Sequence, residues 1–330
     1  MTTRRELLTT LAACALAAPL ASFAQQQPAK IARIGFLGSA SGKTDTHYYR
    51  ALVDGLREHG LVEGKNIAFE WRFAEGNYER LPALAQELVQ LNVDIIVVNG
   101  MHAVRAAKKA TATIPIVMAV VGADPVTNGF AAGLAHPDGN ITGVCLSVTD
   151  VSAKQLELLR TLSPKWSRIA VLTSSANSFH TQVLDEFQAA AAILHVKVLA
   201  YEAHDSIAID TAFAAMARAH AQAVVVAPDP FYRQQSRQLA ELTKRYRLPS
   251  MLATRELVEA GGLMSYGQNY VEHFQRAAAY VDKILKGARP GDLPIELPTR
   301  FELVVNMDTA KALGIKIPNS ILVRAESVIE

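Results

Sequence analysis

Two stretches of the chain carry one pattern of apolar and polar positions. Residues 33–44, RIGFLGSASGKT, pass from an apolar block at 34–37 into glycine and small polar residues, and from about Asp45 apolar positions recur at helical spacing. A buried parallel strand that delivers a loop and then a helix N-terminus has this signature. Residues 168–175, RIAVLTSS, repeat it, with a loop at 176–180 and a helix from about Thr181. The sequels correspond as well. After the first copy come a strand at 66–73, a helix at 78–91, a strand at 94–98, a helix at 101–112 and a strand at 116–121. After the second come a strand at 196–201, a helix at 208–220, a strand through Val224-Val225-Val226, a helix at 231–246 and a strand opening at Leu248-Pro249. The offset stays at roughly 130–135 residues, the mark of two α/β domains of like design and not of a short-period array.

The pattern also places the joins. A short helix near 127–134 and the turn cluster His136-Pro137-Asp138-Gly139-Asn140 close the first half, and a helix at 151–162 opens the second, whose last strand is GGLMSY at 261–266. Beyond lie a long amphipathic helix at 271–285, an alternating strand at 301–305, a short helix at 309–313 and an apolar tail. This segment is too small for a third domain and is expected to cross back, giving a helix and a strand to the first half. The expected fold class is therefore α/β, two similar doubly wound parallel-sheet lobes joined by a hinge. Lobe 1 is expected at 31–146 plus 267–330 and lobe 2 at 147–266, with hinges near 146–149, 254–266 and 296–301.

At 330 residues the chain has the length for two full cores. Half its residues are apolar and 19% charged, and the net charge of +2 with no basic stripe gives no reason to expect nucleic acid as a partner. Residues 1–24 have the form of a cleaved signal peptide: Arg4-Arg5, an apolar core at 11–20, and Ser22-Phe23-Ala24 as the small-x-small site. The core is too short to span a bilayer. Thr3-Arg4-Arg5 also resembles a twin-arginine signal, and Leu11-Ala12-Ala13-Cys14 a lipobox, although the apolar run continues past Cys14. The expected location is the periplasm, without a lipid anchor. Removal of the leader leaves Cys145 alone, so no internal disulfide forms, and its apolar setting reads as a buried thiol.

Familiar chemical signatures fail on spacing. Gly38-Ser39-Ala40-Ser41-Gly42-Lys43-Thr44 ends like a phosphate-cradling loop, but such a loop needs glycine five residues before Gly42, where Leu37 stands. Gly35-x-x-Gly38 lacks the G-x-G turn of a dinucleotide site, and no G-x-S-x-G elbow occurs. The nine histidines are scattered without a metal-binding pair. No enzyme, cofactor or metal site is expected.

What remains is a set of small polar residues at strand ends, where open α/β sheets bind ligands. The expected ligand-binding residues are Ser39, Ala40, Ser41, Asn99, Gly100, His102, Gly122, Asp124, Ser174, Asn177, Ser178, Asp229 and Tyr266. Serine and asparagine there are also ordinary helix caps, and aspartate before proline is an ordinary turn former. Matching loops in both copies weigh toward a shared cleft. In that reading Ser39, Ser41 and Asn99-Gly100 hold a ligand carboxylate, while Asp229 with Asn177 and Ser178 takes an ammonium or hydroxyl. Tyr266, Tyr232 and Phe231 are candidates to stack on an apolar part.

The run His136-Pro137-Asp138-Gly139-Asn140-Ile141-Thr142-Gly143-Val144 resembles the P-G-G-N-I-T-G-V turn of ABC-transporter substrate-binding proteins of the tryptophan/tyrosine type. So do Lys154-Gln155-Leu156-Glu157-Leu158-Leu159, Gly261-Gly262-Leu263-Met264-Ser265-Tyr266-Gly267, Val281-Asp282-Lys283-Ile284-Leu285-Lys286-Gly287-Ala288 and Leu293-Pro294-Ile295-Glu296-Leu297-Pro298-Thr299. Asp138 stands where glycine is usual, and Gln268, beside the cleft, where proline is usual. The resemblance implies a type I periplasmic-binding fold, a small-molecule ligand such as an aromatic amino acid or related carboxylate, a monomer, and partners in an inner-membrane ABC permease with its ATPase. A sensory binding protein and an exported enzyme are the alternatives from other classes.

Overall fold

The computed structural model describes residues 31–122, 124–146, 149–297 and 300–330; the leader lies outside them. The first half forms β1 (Ala32–Gly38), α1 (Thr46–Glu58), β2 (Ile67–Phe73), α2 (Leu81–Gln90), β3 (Ile95–Asn99), α3 (Met101–Ala110), β4 (Ile116–Val121) and β5 (Ile141–Cys145). Its sheet has the order β2-β1-β3-β4-β5, parallel throughout. β3 and β4 are buried along their whole length, as the uninterrupted apolar runs require when helices cover both faces. The second half repeats the plan with α4 (Thr149–Leu162), β6 (Arg168–Thr173), α5 (Phe179–Leu194), β7 (Lys197–Glu202), α6 (Ser206–Arg218), β8 (Ala223–Val226), α7 (Pro230–Gln234), α8 (Ser236–Arg245), β9 (Ser250–Leu252), α9 (Arg255–Glu259) and β10 (Met264–Gly267). The order β7-β6-β8-β9-β10 copies the first sheet strand for strand.

The C-terminal segment divides between the lobes. α10 (Tyr270–Leu285) returns to lobe 1 and packs along α1 and β4. Gly55 makes that crossing close: a Cβ there would stand 2.9 Å from Ala278 Cβ. The following strand does not stay with lobe 1. β11 (Glu302–Asn306) pairs antiparallel with β10, and β12 (Ser327–Ile329) adds beside it, after α11 (Met307–Leu313) and α12 (Asn319–Leu322). Alternation over 301–305 specifies a strand but not an edge. The free edge of β10 takes it, while β5 receives only a short pairing from Glu296. Lobe 2 therefore gains 302–330, against the expected boundary.

Three other expectations change. The second crossing follows β10, near Gly267 to Tyr270, so 254–266 lies inside lobe 2. Residues 125–134 form turns and bends instead of a helix: Asp124 Oδ1 accepts the Val126 and Thr127 N–H groups at 2.8 and 2.9 Å, and Gly129 turns at φ +67°. The helix expected at 231–246 is two, broken at Gln235.

Candidate functional site

In both sheets the carboxyl ends of the parallel strands carry the loops that meet between the lobes. The contacts there are direct. Tyr78 donates its hydroxyl to Asp229 Oδ1 (3.2 Å), Arg105 donates to Ser178 Oγ (3.2 Å), and His47 Nε2 lies 3.0 Å from Glu256 Oε1. Burial alone would raise the Glu256 carboxyl, but His47 together with the Tyr48, Thr254 and backbone donors around it outweighs that and holds the group at about 2.

The strongest contact is an ion pair. Asp45 stands at the start of α1, yet its carboxylate caps nothing in its own helix. It reaches Arg233 of α7, with Nη2 to Oδ2 at 2.7 Å and Nε to Oδ1 at 3.3 Å. The two side chains are 1% and 7% exposed, and the guanidinium carbon lies 5.8 Å from the Tyr48 ring centre and 5.5 Å from that of Tyr270. Burial would favour loss of the Arg233 proton, but Asp45 holds it well above the ordinary range. Neither residue was among the sequence candidates. The available signal was complementary: an aspartate opening a helix after β1, and an arginine in the short helix after β8, both at strand ends.

Behind this pair the cleft holds two small chambers, each with a cavity volume of about 30 Å³. One, termed the polar chamber, carries the amide and guanidinium groups of Asn99, Asn177 and Arg233 with Gly100 and Gly122, although most of its exposed wall is apolar as in the other. The other is mainly apolar, with Val183, Phe187 and Ala253 beside Gln155 and Tyr266. Leu146, Phe179, Pro228 and Tyr270 line both. Near the polar chamber Ser39 Oγ is buried without a hydrogen-bond partner among the described residues, and Asn99 Nδ2, close to the Tyr49 hydroxyl, makes no hydrogen bond of normal geometry. Buried polar atoms left in this state are costly unless something else engages them.

Of the expected residues, Asn99, Gly100, Gly122 and Asn177 line the polar chamber and Tyr266 the apolar one. Ser39 and Ala40 are buried beside β1, and the Ser39 hydroxyl abuts Gly100. Ser41 Oγ accepts the Lys43 N–H, a local turn. His102 stacks on Tyr78 at 4.4 Å between ring centres, and burial with the nearby Arg105 charge lowers its pKa. Ser174 lines a separate outer groove with Tyr78 and Phe231. Asp124 is exposed and serves its own turn. Asp229 is engaged at both oxygens: Oδ1 accepts from Phe231 N (2.7 Å) and Tyr78, and Oδ2 from Asn177 Nδ2 (2.8 Å). It caps α7 and shapes the loop, and both of its oxygens already accept a hydrogen bond. Ser174 N–H donates to His180 Nδ1, so His180 carries its proton on Nε2, facing Pro228 O. Tyr232 is a core plug whose single hydroxyl proton is shared between Thr173 O (2.6 Å) and Ala203 O (2.9 Å).

Two like lobes with their strand ends meeting over a shared cavity define a bilobal binding protein of the periplasmic type. The chain belongs to the ABC transporter substrate binding protein family, whose model matches residues 34–329. That family is non-catalytic. The chain is 24% identical over 269 residues to the tyrosine-binding protein of Clostridioides difficile strain R20291, spanning 81% of this chain and 76% of that protein. Among solved structures, a conserved domain protein of Vibrio cholerae O1 biovar El Tor N16961 superposes with TM-score 0.85 at 27% identity, covering 91% of this chain and 100% of that one. The ABC domain of Streptococcus pneumoniae in complex with L-Trp gives TM-score 0.84 at 26% identity, covering 90% and 99%.

Proposed function

We propose that this protein is the periplasmic solute receptor of an ABC importer, and that it captures a small organic acid between its lobes. The carrying observation is the polar chamber, where Asn99, Gly100, Asn177 and Arg233 converge from both lobes beside an apolar one. Such a site suits a compound with a carboxylate at one end and an apolar group at the other. Arg233 and the Asn99 amide receive the carboxylate as charge-assisted and neutral donors, and the residues around Tyr266 receive the remainder. An aromatic amino acid or a related acid has this form, in keeping with what the similar proteins above are named for.

The leader reading puts the mature chain outside the cytoplasm, and the bilobal form delivers its ligand as a monomer to a permease and its ATPase. A thermal-shift screen with amino acids and aromatic acids tests the reading. A ligand present at ~100 times its Kd stabilises by roughly 2.7 kcal/mol, an easily resolved shift. No shift with any carboxylate, and a shift with neutral sugars instead, would sink it.

A further inference from the structure

The two chambers share four walls, Leu146, Phe179, Pro228 and Tyr270. Phe179 opens α5 in lobe 2, lines both chambers and is 4% exposed. Its placement is built in. Asn177 Oδ1 accepts the Phe179 N–H at 3.2 Å, and Asn177 is itself held by Asp229. On the opposite lobe the ring lies flush against the end of β4. A Cβ on Gly122 would come within 2.5 Å of Phe179 Cε1, so glycine there is what admits the ring.

Each chamber has space for about two or three waters, since a water needs roughly 10–15 Å³ of such volume. Neither accepts an aromatic ring as it stands. The ring-sized space of the closed cleft belongs to Phe179 itself.

We propose that Phe179 is the specificity-determining residue of this receptor, a plug that competes with the ligand's side group for the space between Gly122 and Tyr270. A bulky ligand must displace the ring before the lobes close, whereas a ligand with a small side group leaves it in place. The inference rests on the reading of the cleft as a carboxylate site, and it adds that discrimination by size is set by one residue of lobe 2 and the glycine facing it.

The test is calorimetric titration of wild type, Phe179→Leu and Phe179→Ala with L-alanine, L-leucine, L-phenylalanine and L-tryptophan and their deaminated acids. A parallel thermal-shift arm uses indole, which carries no carboxylate. Truncation to alanine joins the chambers into an apolar hole, and such holes bind small aromatic molecules. Phe179→Ala is expected to raise affinity for the bulkiest acid relative to the smallest at least ~10-fold, a change of about 1.4 kcal/mol. Phe179→Leu should fall between, and indole should stabilise Phe179→Ala but not wild type. An unchanged ratio across the series would overturn the role of Phe179 while leaving the receptor reading intact. If no acid binds any of the three proteins, the carboxylate reading fails. The indole arm then decides the plug alone: a shift confined to Phe179→Ala upholds it, and no shift overturns it.

Discussion

Replacing Asp45 with asparagine removes the counter-charge of Arg233 at almost constant volume. If the lobes remain together, a guanidinium with 7% exposure is left without its carboxylate, at a cost of about 3–5 kcal/mol. Separation of the lobes lets water reach Arg233, so this cost falls on the closed form and spares the open one. A differential of ~3 kcal/mol multiplies the open-to-closed ratio by roughly a hundredfold. Small-angle scattering on the ligand-free protein should therefore show a larger radius of gyration for Asp45→Asn than for wild type. The double variant Asp45→Leu with Arg233→Met removes both charges and their desolvation together, so compaction should return. Wild type should stay compact even at ~1 M salt, since a buried pair is poorly screened. An unchanged radius for Asp45→Asn, or a double variant as open as the single one, would refute the role of the Asp45–Arg233 pair in holding the lobes together.

Asp229→Asn places an amide where three donors already point, so it should destabilise by about 1–3 kcal/mol. An amino acid and its deaminated acid should lose affinity equally; a selective loss for the amino acid in titrations would restore the ammonium role. Burial lowers His273 from 6.5 to about 4, and the charged Glu272, Arg276, Glu296 and Arg300 share its surface hollow. The unfolded chain binds that proton first, so stability should fall as pH drops from ~6.5 to ~4, by up to roughly 3 kcal/mol. His273→Leu should flatten the melting curve over this window, and equal slopes would contradict the assignment. Lys43 is exposed and bonds through its backbone, the N–H donating to Ser41 Oγ and the carbonyl accepting from Thr46 Oγ1, so Lys43→Ala should leave ligand affinity within about twofold; a loss confined to a phosphorylated ligand would revive a phosphate site.

The sequence determined the lobes because each core strand is an uninterrupted apolar run ending in small polar residues, and that pattern needs no partner to be read. β1 and β6, with the strands that follow them, lie where the repeated pattern puts them. The same logic located the strand ends, and with them Asn99, Gly100, Gly122, Asn177 and Tyr266 on the chamber walls. Pattern could not decide which sheet edge takes β11, since alternation fixes the faces of a strand and not its neighbour. Nor could it separate Asp229 from Asp45. Both are aspartates beginning a helix after a strand, yet one caps its own helix and the other reaches 188 positions along the chain to Arg233. Phe179 is apolar at the start of a helix, which reads as core; only the approach of Gly122 from the other lobe makes it a wall of the cleft. Backbone periodicity is local and survives in one dimension, whereas the partner of a charge or a ring is set when two lobes close on each other.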